Sequence, residues 1–275
     1  FKFKITIMIG AIIGDIIGSR FEFANIHTKE FELFTSDCGF TDDTICTVAI
    51  ADAIYRKIGY KESLLEWCKK YPNPKGSYGV SFDRWWRSEN PQPYNSYGNG
   101  SAMRVSQIGF YFNSFEKVLE EARKSAIVTP SHPEGIKGAQ AIASCIFLLR
   151  TGETKDEIKA YVESEFGYNL EHTVEYYRKH SKFDETCQDT VPKAIVCFLE
   201  SDGFVDSIRN AISIGGDSDT IACITGGLSE AFYGIPDNIF DEAYKYLDNN
   251  IKKVLKKALR TKFVNRMIEI QQKIL

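Results

Sequence analysis

The chain has little net charge, and it lacks the composition of an unfolded protein. Its 275 residues carry 34 Lys and Arg against 37 Asp and Glu, which gives a formal net charge of −3 at pH 7. A nucleic-acid binder that works by bulk positive charge is therefore not expected. Hydrophobic residues make up 43% of the chain and aromatic residues 13%. These values exclude an intrinsically disordered protein and leave ample material for a buried core.

Cysteine and histidine are present without the spacing that metal or disulfide scaffolds need. The seven cysteines include no Cys-x-x-Cys pair, and only four histidines occur. Zinc sites and disulfide frameworks are therefore not expected, and reduced thiols predict a cytoplasmic protein. The apolar run at residues 5–13 is too short to span a bilayer, and Asp15 follows it without a cleavage site. The sequence thus predicts neither a membrane partner nor secretion.

Alternating strand patterns are nearly absent, whereas apolar residues recur every three to four positions along most of the chain. The sequence predicts one all-α domain over residues 1–275, a compact orthogonal arrangement of a dozen or more helices in a monomer. Its motif-bearing part covers residues 8–235, with helices at 237–273 packed on it. Helices are expected at 9–20, 41–58, 61–70, 101–111, 114–127, 134–150, 154–166, 188–200, 203–213, 218–233, 237–249 and 251–273.

One stretch breaks the helical pattern. Tyr71–Asn99 holds four of the eight prolines and several glycines and aromatic residues. This composition predicts a long ordered loop with a short helix around Ser81–Arg87. Long ordered loops commonly carry functional residues.

Two short acidic motifs stand at predicted helix starts. They are Thr41–Thr44, with the sequence Thr-Asp-Asp-Thr, and Gly215–Thr220, with the sequence Gly-Gly-Asp-Ser-Asp-Thr. Acids at a helix N-terminus can simply cap free N–H groups and interact with the helix dipole. Neighbouring carboxylates repel each other, however, unless one is protonated or a cation lies between them. Carboxylates beside threonine hydroxyls also form the all-oxygen ligand set that Mg²⁺ or Mn²⁺ prefers.

Three further features are open to two readings each. Ser96–Ser101 precedes a predicted helix, so its N–H groups could hold a phosphate, although Asn-Gly is also an ordinary turn dipeptide. His132 at a helix entrance could bond a ligand or be purely structural. Glu22 lies between Phe21 and Phe23, so it could be a half-buried site acid or a solvated surface residue.

Taken together, the motifs resemble the ADP-ribosylglycohydrolase family. That family includes the glycohydrolase that reactivates ADP-ribosylated dinitrogenase reductase and the ADP-ribosyl-acceptor hydrolases. The resemblance extends over about residues 8–235, where five segments follow the family's order: Gly10–Asp15 with Glu22, Phe40–Thr44, Tyr97–Arg104, His132–Ala139 and Ser213–Thr220. Pro130 stands where the family has the first histidine of a Thr-His-x-His-Pro run, and the acid that some arginine-type members carry near Ser96 is absent.

The resemblance implies an all-α fold with a binuclear Mg²⁺ or Mn²⁺ site. Glu22 would match the family's mobile acid, and either Glu22 or Asp43 would be the general base. The implied metal ligands are Thr41, Asp42, Asp43, Asp217, Asp219 and Thr220. The implied ADP-ribose-binding residues are Ser96, Tyr97, Gly98, Asn99, Gly100, Met103, His132 and Gly215.

The implied reaction is hydrolysis of the C1″ glycosidic bond of an ADP-ribosyl group, which releases ADP-ribose from a modified protein side chain or another acceptor. Two alternatives stay open. The substrate could be another ADP-ribose-containing small molecule or a nucleotide-sugar. The protein could also be a non-enzymatic structural relative, since jellyfish lens crystallins resemble the same family.

Overall fold

The regular structure of the chain is helical. A computed structural model describes residues 7–274, with the side chains of residues 7–261, and in this part there are three isolated β-bridges and no strand. The predicted all-α class is therefore confirmed. The helices are α1 (Ile9–Gly18), α2 (Asp42–Arg56), α3 (Tyr60–Lys70), α4 (Val80–Arg87), α5 (Gly100–Met103), α6 (Ser106–Tyr111), α7 (Phe115–Ala126), α8 (Pro133–Thr151), α9 (Lys155–Phe166), α10 (Val174–His180), α11 (Cys187–Leu199), α12 (Phe204–Ser213), α13 (Ser218–Tyr233), α14 (Asp237–Lys245) and α15 (Asn249–Ile274).

Two helix predictions differ from the structure. The predicted helix over 101–111 is two helices, because the backbone leaves the helix at Arg104 and Val105 between α5 and α6. The Arg104 side chain turns inward there and donates to the Ser125 carbonyl at the end of α7. Helix α10 was not predicted, because its seven residues are too few to show a period. Its start is fixed locally by Thr173, whose hydroxyl accepts a hydrogen bond from the Tyr176 N–H.

The centre of the fold is α1 packed against α13. Every residue of α1 is buried, which matches its apolar sequence on all faces. A Cβ atom added at Gly14 would lie 2.0 Å from the Ala222 carbonyl oxygen, and one at Gly10 would lie 2.3 Å from the Gly226 carbonyl oxygen. Only glycine permits backbones to approach this closely. The contact therefore fixes α1 against the N-terminal half of α13, and the second acidic motif runs into the start of that helix.

A distant carboxylate caps the start of α1. Met8 at the N-cap position supplies no side-chain hydrogen bond. Instead the fully buried Glu230 of α13 accepts hydrogen bonds from the Ile7 N–H at 2.5 Å and the Gly10 N–H at 2.6 Å. These free N–H groups need an acceptor because they have no partner within the helix. Glu230 thus adds a second link between α1 and α13.

Isolated β-bridges join the loops at the end of the bundle where α2 and α13 begin. They pair Thr41 with Lys75, Tyr94 with Pro130, and Gly98 with Thr186. The proline-rich stretch lies among these loops, and α4 within it buries Trp85 and Trp86, so it is ordered as predicted. Within residues 7–274 no helix is both long and apolar enough to cross a membrane.

Candidate active site

The two acidic motifs meet at one end of a cleft of about 270 Å³. Thr220 of the second motif donates a hydrogen bond from its hydroxyl to Asp43 Oδ1 of the first, at 3.2 Å, across 177 residues of sequence. Glu22 joins them from the loop after α1, and its carboxylate oxygens lie within 4.8 Å of those of Asp217 and Asp219. Five carboxylates therefore converge on this end of the cleft: Glu22, Asp42, Asp43, Asp217 and Asp219.

Most of these acids are not used as helix caps, although Asp219 Oδ1 accepts from the Thr220 N–H in the first turn of α13 at 3.0 Å. At the start of α2 the cap is Thr41, whose hydroxyl accepts from the Asp43 N–H at 3.2 Å. Asp217 occupies the N-cap position of α13 but makes no capping bond there, and its Oδ2 accepts from Asn99 at 2.7 Å instead. Asp43 is 2% exposed, and its Oδ2 is buried with no hydrogen-bond partner. A buried carboxylate oxygen without a donor indicates a site that lacks a positive group.

Burial and mutual repulsion favour the protonated forms of these acids. Burial raises the pKa of Asp43 well above its usual value, and the nearby charges of Asp15 and Asp42 add to the effect. Asp42 and Asp219 show the same direction of pKa shift, again with burial as the largest cause. Burial, and then the charge of Asp217, raises the pKa of the half-buried Glu22 to about 8. A divalent cation would satisfy this cluster, because it would favour the ionised carboxylates.

Asp15 supports the first motif from behind, and the sequence reasoning did not include it among the site residues. Its fully buried carboxylate accepts from the Thr41 N–H at 2.9 Å, the Thr41 hydroxyl at 2.7 Å and the Thr44 N–H at 3.1 Å, and also from the Thr44 hydroxyl. Because the Thr41 hydroxyl gives its proton to Asp15 and accepts from the Asp43 N–H, one of its two lone pairs remains for a cation. The one available signal was an acid inside an otherwise apolar helix, which needs a buried partner.

The loop that carries Glu22 is tied to the second motif by Asn25. The Asn25 side chain accepts from the Gly216 N–H and donates to the Gly216 carbonyl oxygen, both at 2.9 Å. Gly215 and Gly216 have φ values of 70° and 81°, a region that favours glycine. A Cβ atom at Gly76 would lie 2.6 Å from Glu22 Oε2, so the proline-rich loop also approaches the carboxylate. Sequence reasoning missed Asn25, because nothing local marks a long-range contact.

The glycine-rich segment forms part of the cleft wall. Asn99 donates to Asp217 and, at 3.0 Å, to the Thr190 hydroxyl, which places this segment directly beside the second motif. Of the residues implied for ADP-ribose, the cleft is lined by Ser96, Gly98, Asn99, Gly100 and Met103.

Three of the implied ADP-ribose residues lie outside this lining, as does the implied metal ligand Thr41. The ring of Tyr97, which is 48% exposed, packs edge-on against His132 at a centroid distance of 5.3 Å. His132 Nδ1 accepts from the Glu134 N–H at 3.2 Å and so caps α8. Gly215 lies behind the second motif beside Asn25. Thr41 is fully buried next to Asp15.

The remaining lining includes residues that the sequence reasoning did not select. Phe82, Tyr94, Thr129 and Arg104 line the cleft, and so does Glu185. Glu185 also accepts the Asn99 N–H with its main-chain oxygen at 2.7 Å. Arg104 ends the Tyr97–Arg104 motif that resembles the family, but the sequence of that motif does not show which of its residues line a cleft and which lie in the core.

Known ADP-ribosylhydrolases are similar to this chain along most of its length. ADP-ribosylhydrolase ARH3 of Danio rerio is 28% identical, with 83% of this chain and 82% of the relative covered. ADP-ribosylhydrolase ARH3 of Homo sapiens is 26% identical, covering 82% and 84%. ADP-ribosylarginine hydrolase Tri1 of Serratia proteamaculans is 24% identical, covering 82% and 70%.

A solved structure and a family profile cover nearly the whole chain. The structure, described as an ADP-ribosylglycohydrolase-related protein complex, is similar in fold, with a TM-score of 0.71 and 20% identity over 92% of this chain and 94% of the other. The profile of the ADP-ribosylglycohydrolase family matches residues 5–269. The resemblance carried by the five motifs is thus confirmed, as is the expectation of a glycosidic hydrolase. The chain belongs to the ADP-ribosylglycohydrolase family.

Proposed function

We propose that the protein is a divalent-cation-dependent hydrolase that cleaves the C1″ glycosidic bond of an ADP-ribosyl group. The reaction releases ADP-ribose from a modified protein side chain or another acceptor. The main support is the meeting of the two acidic motifs, with Glu22, at one end of a cleft whose wall includes the glycine-rich segment. Two of the relatives support the same reaction class. ARH3 is named as an ADP-ribosylhydrolase without a stated acceptor, and Tri1 is named as an ADP-ribosylarginine hydrolase.

The residues present fit two Mg²⁺ or Mn²⁺ ions. The donor set is entirely oxygen, which suits hard divalent cations, and Asp43 Oδ2 is buried without a partner. The ligands we propose are Thr41, Asp42, Asp43, Asp217, Asp219 and Thr220. When bound, the ions would supply positive charge that orients the ribose hydroxyls and lowers the pKa of a water molecule.

The chain's own groups account for positioning and proton transfer. Asp15 holds the Thr41 hydroxyl so that its lone pairs face away from Asp15. Glu22 or Asp43 takes a proton from the attacking water, whose oxygen forms the new bond to C1″ while the bond from C1″ to the acceptor breaks. The acceptor leaves with a proton, which the same carboxylate or solvent supplies, so that one water molecule is consumed in each turnover. Ser96–Gly100 holds the diphosphate and the distal ribose, which keeps C1″ at the carboxylate end.

A panel of substrates tests this proposal. ADP-ribosyl groups linked to arginine, to serine and to DNA would be assayed for release of ADP-ribose, with Mg²⁺ or Mn²⁺ and after dialysis against a chelator. We expect release from at least one substrate, its loss on chelation and its recovery when metal is restored. Asp219→Ala should abolish turnover. Asp52→Ala should not, because Asp52 lies on α2 outside the cleft lining. Activity that is indifferent to chelation would rule out the metal mechanism.

The cellular setting is a separate proposal. All seven cysteines are buried and none is linked to another. Free thiols support a reducing, cytoplasmic compartment. The monomeric state stays a prediction, which sedimentation equilibrium would test.

A further inference from the structure

Arg104 is a buried cation without an anionic partner. It is 1% exposed. Its Nη2 donates to the Ser125 carbonyl oxygen at 2.9 Å and to the Thr129 hydroxyl at 2.7 Å. Its Nε is buried and has no partner, and Nη1 makes no hydrogen bond within the described residues. No carboxylate in this part of the chain forms an ion pair with it, so most of its N–H donors are unused.

Such an arrangement is strongly unfavourable unless a ligand completes it. Arginine keeps its charge in proteins and carries five N–H donors. Buried charges are normally paired, because neutral acceptors do not replace the lost hydration. Elsewhere in this protein the buried Lys193 follows that rule and pairs with Asp189 at 2.5 Å. Arg104 departs from it.

The position of Arg104 shows where its partner would come from. It is the single cationic side chain among the described residues that line the cleft, whose other charged residues are all acidic. Its neighbours are Thr129 and Phe82, with the guanidinium 6.0 Å from the Phe82 ring centroid. The cleft therefore offers carboxylates for cations in one place and an unpaired guanidinium for an anion in another.

We infer that Arg104 binds the diphosphate of a nucleoside-diphosphate ligand in this cleft, with the unused N–H groups of Nη1 donating to phosphate oxygens. The identity of the anion rests on the proposed function, since an ADP-ribosyl group carries a diphosphate between its two sugars. A purely structural role would involve only Nη2, which ties the turn between α5 and α6 to the end of α7. Such a role would not explain why a charged residue, with N–H donors left unpaired, occupies this buried position.

Calorimetric titration of ADP and adenosine tests this inference, because the two ligands differ only in the diphosphate. The metal-loaded protein should bind ADP about 10- to 100-fold more tightly than adenosine, the range expected for charge-assisted hydrogen bonds. Arg104→Met should remove most of that ratio, and Arg104→Lys should keep part of it because it keeps the charge. Arg150→Met is the matched control. Arg150 also lies near an aromatic ring and donates to a carbonyl, that of Gly109 at 2.7 Å, but it does not line the cleft.

Each outcome decides the question. An unchanged ratio in Arg104→Met, or a wild-type protein that binds adenosine as tightly as ADP, would overturn the inference, and the second result needs no variant to fold. With an ADP-ribosyl substrate, Arg104→Met should raise KM by at least about tenfold and change kcat little, because the contact is made before and during reaction. Arg104-dependent ADP binding without any release of ADP-ribose would refute the proposed reaction and leave this site standing.

Discussion

Replacing Asp43 by asparagine should change stability in opposite directions with and without divalent cation. In the metal-free protein the wild-type carboxylate is buried among other acids, and its Oδ2 has no donor. In the wild type the Thr220 hydroxyl donates to Asp43 Oδ1 at 3.2 Å. An asparagine keeps an oxygen that can accept this bond, and its NH₂ group can donate to a neighbouring carboxylate. We expect the metal-free variant to be more stable by about 1–3 kcal/mol, the usual cost of a buried group without its partner. That corresponds to roughly 2–4 °C in Tm for each kcal/mol in a chain of this size.

The pH dependence of this effect has a definite sign. Burial raises the pKa of Asp43 in the folded state above its value in the unfolded chain. Between those two values the folded state binds more protons, so the metal-free wild type loses stability as pH rises. Asparagine does not titrate. The gain in Asp43→Asn should therefore be small at acidic pH, where the wild-type carboxyl is protonated, and should grow towards alkaline pH.

With cation present the order should reverse. At a free concentration 100 times its Kd, a ligand stabilises the folded protein by about 2.7 kcal/mol. The wild type should show such a response to Mn²⁺ or Mg²⁺, and Asp43→Asn should lose most of it together with turnover. Differential scanning calorimetry in chelator and in metal measures both arms.

The control is Asp52→Asn on the same helix. Asp52 accepts from Trp67 Nε1 at 3.0 Å and from Arg56 at 3.2 Å, so its carboxylate is already satisfied. This variant should lose about 1 kcal/mol of stability and keep the full response to metal. If Asp43→Asn also lowered the metal-free Tm, or kept the metal response, the interpretation of the cluster as a cation site would be wrong.

Three further predictions follow from the same contacts. Gly14→Ala would place a Cβ atom 2.0 Å from the Ala222 carbonyl oxygen, so it should lower stability by about 1–3 kcal/mol or more. Gly203→Ala has open space around it, and in the same denaturant titration it should cost at most about 1 kcal/mol, because Gly203 is the N-cap of α12. Asp15→Asn should weaken metal affinity by roughly 10- to 100-fold, because it removes an acceptor that orients Thr41; unchanged affinity in a metal titration would exclude this role. The metal-free protein should also lose stability between about pH 5 and pH 8, because the pKa of Glu22 is raised to about 8 in the folded state, and saturating Mn²⁺ should flatten that profile; a rise in stability over this range would contradict the sign.

Local patterns predicted the parts of the site that depend on neighbouring residues in sequence. Each acidic motif is a short run at a helix start, so the repulsion between its carboxylates could be inferred without knowing the fold. Most helices were found because their period extends over ten or more residues. The break at Arg104 was not found, since the side chain that causes it bonds to Ser125 and Thr129, which are distant in sequence.

Residues that act through long-range contacts could not be predicted in the same way. In the sequence Asn25 belongs to no motif, and only the fold shows that its side chain bonds to Gly216. Asp15 was visible as an acid in an apolar helix, but its partners Thr41 and Thr44 were not. The lack of an anionic partner for Arg104 likewise matters only because the side chain is buried, and burial is not evident from one sequence.

The structure divides the site into a rigid part and a part carried by loops. The first motif is held by Asp15 of α1, and α1 is locked to α13 by backbone contacts at Gly10 and Gly14. The proposed cation ligands therefore belong to helix starts whose spacing cannot change without breaking that interface. Glu22 lies instead on a loop held by the Asn25 side chain, and the glycine-rich segment is joined to its neighbour by a single β-bridge from Gly98 to Thr186. Apart from Asn99, which donates to the proposed ligand Asp217, substitutions in these loops should thus alter KM and acceptor preference while leaving metal affinity nearly unchanged. Substitutions in the α1–α13 interface should do the reverse.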